Sequence, residues 1–237
     1  MVELFGKPLL QHQIDVLHHC GINDISVVVG HLGNTINLPN VHIYKNMNYA
    51  NTNMIETLFC AKSKLTDSVI VSYGDIIFEE QVVNTLINSE DDISIVVDKN
   101  WKQYWSLRFE NPLDDAESLI IDDTQYIREI GQKTDKFENI HAQYIGLMKF
   151  SGDGLLKIKT MYEKFKKMSE TGSNPLNPNL SFEKSYLTDF LQGLIKYGCE
   201  LKSVPISGGW LELDSINDYE LYSKMYENHE LQSLITI

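Results

Sequence analysis

Arginine is nearly missing from this sequence. Arg108 and Arg128 are its only two, in a chain of 237 residues with 20 basic side chains, 33 acidic ones and a formal net charge of −13. A phosphate polymer needs a basic face, so this balance excludes DNA or RNA as a polymeric partner. A single nucleotide needs only a local site with a metal ion, and stays open. Cysteine is sparse too: Cys20, Cys60 and Cys199 are an odd number at unrelated spacings. They read as reduced core thiols of a cytoplasmic protein, not as a disulfide frame or a metal site. No stretch approaches the roughly 18 consecutive apolar residues of a membrane span, so no membrane partner is expected. Glu3 and Lys7 interrupt the apolar start, so no secretory leader is expected. The seven histidines lack metal-ligand spacing, and no serine or cysteine stands with a base in a triad-like arrangement.

Apolar material is ample. The chain is 43% hydrophobic and 10% aromatic, enough for a single domain over 1–237. Helical and extended segments alternate along it. Pro8 to Cys20 reads as a helix, with Leu9, Leu10, Gln13, Ile14 and Leu17 on one face and Gly21 as its stop. Ile25 to Val29 is a buried β-branched run. Val41 to Tyr44 and Ser68 to Tyr73 are further strands, with a helix over Asn53 to Lys64 between them. A helix over Glu79 to Asn88 and a strand over Ile93 to Val97 follow. The spacing predicts an α/β fold, Rossmann-like, with a largely parallel mixed sheet flanked by helices.

Residues 101–133 break the rhythm. Asn111-Pro112 and Asp114-Asp115 interrupt strand-like pieces, so this stretch reads as a small antiparallel insertion or hairpin arm. Afterwards come a strand over Gln143 to Phe150, a helix over Leu155 to Ser169 and a loop over Thr171 to Asn179. Ser181 to Tyr197 reads as a helix, Leu201 to Ile206 and Leu211 to Leu213 as strands, and Ile216 to His229 as the last helix.

In open α/β sheets, ligands bind outside the carboxyl ends of the strands. Gly74-Asp75 is expected there. Asp214 closes another strand-like piece, with Glu212 two residues before it. Two carboxylates far apart in sequence can converge on one Mg2+, which usually takes one or two of them plus substrate phosphates. The plainer alternative is that Asp75 caps a turn and Asp214 caps the helix beginning near Ile216.

The motifs Glu3-Leu4-Phe5-Gly6-Lys7-Pro8-Leu9-Leu10, Val27-Val28-Val29-Gly30, Tyr73-Gly74-Asp75, Tyr144-Ile145-Gly146 and Trp210-Leu211-Glu212-Leu213-Asp214 follow one another along the chain. Each is weak alone. In this order they resemble the NTP-transferase family of sugar-nucleotide pyrophosphorylases and phosphocholine-type cytidylyltransferases, over essentially the whole chain. Asp98-Lys99-Asn100-Trp101, Trp105, Arg108 and Ile130-Gly131 are more similar to the cytidylyltransferase branch. That branch joins CMP from CTP to small acceptors such as phosphocholine, 2-aminoethylphosphonate or phosphoglutamine, the last in capsule modification.

The resemblance implies that Asp75 and Asp214 hold Mg2+ and that Gly74 lies beside the nucleotide. It places Asn51, Thr52 and Asn53 at the base and ribose; ordinary helix capping is the alternative. Trp101, Tyr104 and Trp105 can form an aromatic box for an acceptor ammonium, with Arg108 meeting its phosphate. The alternative is an apolar arm packed on the sheet or on a second subunit of a homodimer. Glu212 can help beside the two aspartates and counts among the acceptor-binding residues; Asp189 can complement the acceptor's ammonium and Lys133 its phosphate, against plain surface roles. The family's opening strand and glycine-rich phosphate loop should stand before Met1. A late start or a trimmed sequence is favoured over a real truncation, because a sheet without a central strand should fold poorly. Without that loop, little turnover of CTP is expected. A sugar-1-phosphate nucleotidyltransferase and a non-catalytic nucleotide-binding regulator are the competing functions. A glycosyltransferase would usually carry an Asp-x-Asp at the strand end, which Tyr73-Gly74-Asp75-Ile76-Ile77 lacks.

Overall fold

The computed structural model describes residues 2–236. A tight hairpin opens it, β1 (Glu3–Leu4) and β2 (Lys7–Pro8). Phe5 and Gly6 turn it with φ of 54° and 76°, the left-handed backbone that a two-residue hairpin requires. Helix α1 (Leu9–His19) follows, with Pro8 just outside as its N-cap. It stops where expected: Gly21 (φ 81°) lets its own N–H and that of Ile22 close back on the carbonyls of His18 and Leu17.

The succession continues with β3 (Ile25–Val29), β4 (Val41–Lys45), α2 (Met54–Cys60), β5 (Ser68–Ser72), β6 (Ile76–Phe78) and α3 (Glu80–Ile87). Next come β7 (Ile93–Asp98), α4 (Trp101–Arg108), β8 (Glu117–Ile121), β9 (Ile127–Lys133) and β10 (Gln143–Ser151). The chain closes with α5 (Gly152–Thr171), α6 (Leu187–Lys196), β11 (Lys202–Ile206), β12 (Trp210–Glu212) and α7 (Ile216–Glu227).

The central sheet runs β11-β7-β10-β5. β11 lies parallel to β7, while β10 is antiparallel to both β7 and β5. Three of the four strands therefore point one way, and β10 runs against them. β3 and β4 form a parallel pair of their own. This is the expected α/β architecture with a mixed sheet. Every residue of β7 is buried, because helices cover both faces. One core gathers residues of α1, α3, α4 and α7 with β6 and β12. The other gathers residues of α2, α5 and α6 with the β8–β9 hairpin.

The hairpin β8–β9 is the expected antiparallel insertion, but its first part is not extended. Residues 101–108 form helix α4. Trp101, Tyr104 and Trp105 recur at a helical spacing that buries all three, which the nearby Asn111-Pro112 break obscures. The helix expected from Ser181 is also shorter. Phe182–Lys184 makes a 3-10 turn, and α6 begins at Leu187.

A backbone irregularity in β10 connects this frame to the acidic residues. Its register against β7 shifts between Tyr144 and Met148, around Gly146 with φ of 80°. A Cβ added to Gly146 would stand 2.6 Å from the Tyr73 ring. Tyr73 N–H donates to Gly146 O at 2.9 Å, two residues before Asp75. Gly146→Ala is therefore expected to lower the unfolding free energy by at least about 1–3 kcal/mol, from left-handed strain plus displacement of Tyr73. Urea unfolding measures this, and an unchanged midpoint would contradict the packing described.

Candidate active site

Asp75 lies in the short bend between β5 and β6. β6 pairs antiparallel with β12, setting Ile76 opposite Glu212. Just beyond that ladder, Leu213 N–H donates to Asp75 O at 2.8 Å. The two acidic motifs, far apart in sequence, are thus sewn together by main-chain bonds. From α1, the Gln13 amide donates to Tyr73 O at 2.9 Å and to Ile76 O at 2.6 Å. Gln13 is buried and splints the bend that carries Asp75.

Asp75 Oδ1 is the one buried side-chain polar atom without a hydrogen-bond partner among the described residues. Burial pushes the Asp75 carboxyl above its usual range, and the charge of Asp214 pushes it further. Burial and then Asp214 lift Glu212 from an ordinary 4.5 to about 7, against the pull of Arg108. A buried oxygen without a donor, beside mutually repelling carboxylates, suits a hard divalent ion.

Arg108 holds the other side of this cluster. Its side chain is 1% exposed. Nε donates to Asp218 Oδ1 at 2.8 Å, Nη1 to Glu212 Oε2 at 2.6 Å, and Nη2 to Asp218 Oδ2 at 3.2 Å and Asp214 Oδ2 at 3.3 Å. Beneath it, Tyr222 OH donates to Glu212 O at 2.9 Å, Tyr104 OH to Tyr222 OH at 2.5 Å, and Glu212 N–H to Tyr104 OH at 2.9 Å. Each phenol spends its single proton once, so this order satisfies all three bonds.

This geometry corrects the aromatic-box expectation. Trp101, Tyr104 and Trp105 are each 4% exposed. Tyr104 and Trp105 pack against Trp210 of β12, and the Trp105 indole N–H donates to Asp115 at 3.0 Å. A helix places 101, 104, 105 and 108 on one side, and β12 with α7 covers that side. No ring face is left for an ammonium, and the Arg108 guanidinium is already engaged. α4 is the platform of the acidic motif.

The remaining expected residues divide. Gly74 is exposed, with open space where a side chain would stand. Asn53 caps α2 through the Met54 N–H, and Thr52 is bonded within its own loop to Asn46 and Asn48. Asn51 is exposed, its amide donating to Asn48 Oδ1 at 2.9 Å. Asp189 belongs to the N-terminal capping box of α6 and accepts from Asn177 at 3.3 Å. Lys133 is exposed at the end of β9, opposite Glu117. Ser215, not Asp214, caps α7, which leaves the Asp214 carboxylate 47% exposed and not used as a cap. Sequence reasoning missed Gln13, Asp218, Tyr222 and Glu117. Ser215-x-x-Asp218 is a readable capping box, whereas Gln13 looked like one more member of an apolar stripe. Glu117 enters because its charge, with those of Asp75 and Glu212, adds to the burial that raises the Tyr73 phenol.

A family model described as a MobA-like NTP transferase domain matches residues 1–136. The CTP:phosphoglutamine cytidylyltransferase of Campylobacter jejuni is 39% identical over 232 residues, 93% of this chain and 89% of that protein. The choline-phosphate cytidylyltransferase of Streptococcus pneumoniae is 30% identical over 38% of this chain and 41% of that one. Among solved structures, the CTP:phosphocholine cytidylyltransferase from Streptococcus pneumoniae superposes with a TM-score of 0.68 at 19% identity, over 95% of this chain and 88% of that one. The inositol-1-phosphate CTP transferase from T. maritima gives 0.67 at 18%, over 95% and 86%. These two structural likenesses bear on the fold.

The raised Glu212 carboxyl makes stability depend on pH. The folded protein keeps this proton after the unfolded chain has lost it. Glu212 therefore costs stability progressively as pH rises from about 4.5 to about 7, and by a constant amount above that. The unfolding free energy of Glu212→Gln minus that of wild type should grow over this window and then level off, measured by urea unfolding across pH. A flat difference would contradict the described environment of Glu212.

Proposed function

The chain belongs to the MobA-like NTP transferase family, and from that premise we propose that it transfers CMP from CTP to a small phosphorylated or phosphonylated acceptor. Pyrophosphate is the second product. The observation that carries this reading is Asp75 Oδ1, buried and lacking a donor, with the Leu213 N–H bound to Asp75 O and the charge of Asp214 felt by the Asp75 carboxyl. The two most similar relatives reported above take CTP with phosphoglutamine or choline phosphate by name.

In the proposed reaction an ionised oxygen of the acceptor's phosphate attacks the α-phosphorus of CTP. A new phosphorus–oxygen bond forms as the bond to the bridging oxygen breaks and pyrophosphate leaves. The attacking oxygen already lacks its proton, so no general base is required. Catalysis is then positioning and neutralisation of charge. Asp75 and Asp214 would hold Mg2+. Among the described residues no group of three or more His, Cys, Asp or Glu forms a metal cage, and Mg2+ characteristically takes one or two carboxylates and completes its shell with phosphates and water. When bound, the ion neutralises the phosphates of the substrate.

Gly74 leaves room for the nucleotide to approach the strand end. Asn51 is the proposed contact to the cytosine edge, and Lys133 to the acceptor's phosphate. With the aromatics of α4 packed away, Glu212 and Glu117 are the anionic groups proposed to favour an acceptor ammonium. The proposed setting is the cytoplasm, where CTP is available; no helix among the described residues is long and apolar enough to cross a membrane. A CMP-activated acceptor is itself a donor for a later transfer, and capsule or other surface polysaccharide is its proposed destination.

In the complete enzyme, Asp75→Asn should cut kcat/KM by on the order of a hundredfold or more while circular dichroism stays native, because a negative charge at a metal–phosphate junction is lost. Near-normal turnover would sink the metal assignment. Pyrophosphate release with CTP and Mg2+ should be fastest with phosphoglutamine, phosphocholine or 2-aminoethylphosphonate. Preference for a hexose 1-phosphate would move the protein to the sugar-nucleotide branch.

A further inference from the structure

Asp214 is held in an unusual way for a metal-facing carboxylate. Its side chain is 47% exposed and has one long contact, to Arg108 Nη2 at 3.3 Å. Nothing else among the hydrogen bonds of the described residues restrains that carboxylate directly. Its direction must therefore come from the main chain that carries it.

That main chain is tied to one buried side chain. Asp218, 3% exposed in the first turn of α7, accepts at Oδ2 from Asp214 N–H at 3.2 Å, Ser215 N–H at 3.0 Å and Ser215 Oγ at 2.9 Å. The same oxygen takes Arg108 Nη2 at 3.2 Å, and Oδ1 takes Arg108 Nε at 2.8 Å. A capping box needs only the Ser215–Asp218 exchange. The bonds to Asp214 N–H and Arg108 are additional, and both point at the acidic motif. The other main-chain tether, Leu213 N–H to Asp75 O, lies one residue before Asp214. Asp214 is thus the residue between two anchors, one on each side.

We infer that Asp218 is a positioning residue for the metal site, fixing the main chain of Asp214 and the guanidinium of Arg108 so that the Asp214 carboxylate faces Asp75. This rests on the reading that Asp75 and Asp214 share a divalent ion. Asp218 touches neither the ion nor the substrates; it acts through Asp214. Its carboxylate has two acceptor oxygens and meets donors at both. An asparagine there would turn an amide nitrogen toward either Arg108 or the Asp214 and Ser215 N–H groups, so one set of bonds must break. Partners that orient a metal ligand typically govern about 10–100-fold in metal affinity or activity.

The test is the Mg2+ dependence of CTP turnover, with Mn2+ binding to the free protein followed by electron paramagnetic resonance. Asp218→Asn should raise the half-saturating Mg2+ and the Mn2+ dissociation constant about tenfold or more, while the acceptor's KM moves little. Ser215→Ala, which keeps the Asp218 carboxylate but removes one of its partners, should shift both in the same direction by less. It also serves if Asp218→Asn folds poorly. Met225→Ala, in the same helix and far along it from Asp214, controls for general destabilisation and should leave the Mg2+ dependence as in wild type. Unchanged metal dependence in Asp218→Asn, alongside a large change in Asp214→Asn, would overturn the positioning role alone. A shift in Met225→Ala equal to that in Asp218→Asn would reduce the effect to loss of stability and also overturn it. Unchanged metal dependence in Asp214→Asn would remove the metal reading and this inference together.

Discussion

Arg108 carries its guanidinium into the interior at the end of α4, where Glu212, Asp214 and Asp218 close around it. Removing such a charge from water is costly, and its partners offset that cost only when the geometry is good. The surrounding architecture supplies that geometry. α4 packs its aromatic face under β12, α7 brings Asp218 alongside, and two tyrosines bind the Glu212 main chain from below. Such a cluster is weak evidence for stability by itself. Its consequence here is definition: the strand bearing Glu212 and Asp214 has one position relative to the sheet.

The same cluster explains why the opposite side is short of positive charge. Arg108 is shared among three carboxylates and donates no hydrogen bond to Asp75, whose buried Oδ1 has no donor. With a chain charge of −13 and two arginines in all, a divalent ion from solution is the cation proposed for Asp75. A nucleotide bound with a divalent ion fits such a surface, whereas a polyanion without one would be repelled.

Much of this was readable in advance, and the failures have specific causes. β7 reads as a largely apolar, β-branched run because a strand buried on both faces has no polar side to show. Asp75 was placed at a strand end by alternation of elements alone. α4 is hidden in the sequence by the broken stretch that follows residues 101–108, although Trp101, Tyr104 and Trp105 carry a helical spacing. Read as an extended arm, the same core aromatics look like a binding box. Aromatic side chains near an arginine look alike in sequence whether they face a ligand or a neighbouring strand; only β12, more than a hundred residues later, decides between them. Gln13 hides in an apolar stripe while its amide meets main-chain carbonyls, and Asp218 reads as a plain capping residue until the fold brings Arg108 and Asp214 N–H to it.

The central claim is that Asp75 and Asp214 form one cation site, held in place from the Arg108 side. Anomalous diffraction from crystals grown with CTP and Mn2+ tests it most directly. The account predicts a manganese peak coordinated by both carboxylates and by phosphate oxygens of the nucleotide, with Arg108 still bound to Glu212, Asp214 and Asp218 or to at least the last of these. Bound nucleotide whose manganese touches neither aspartate would contradict it.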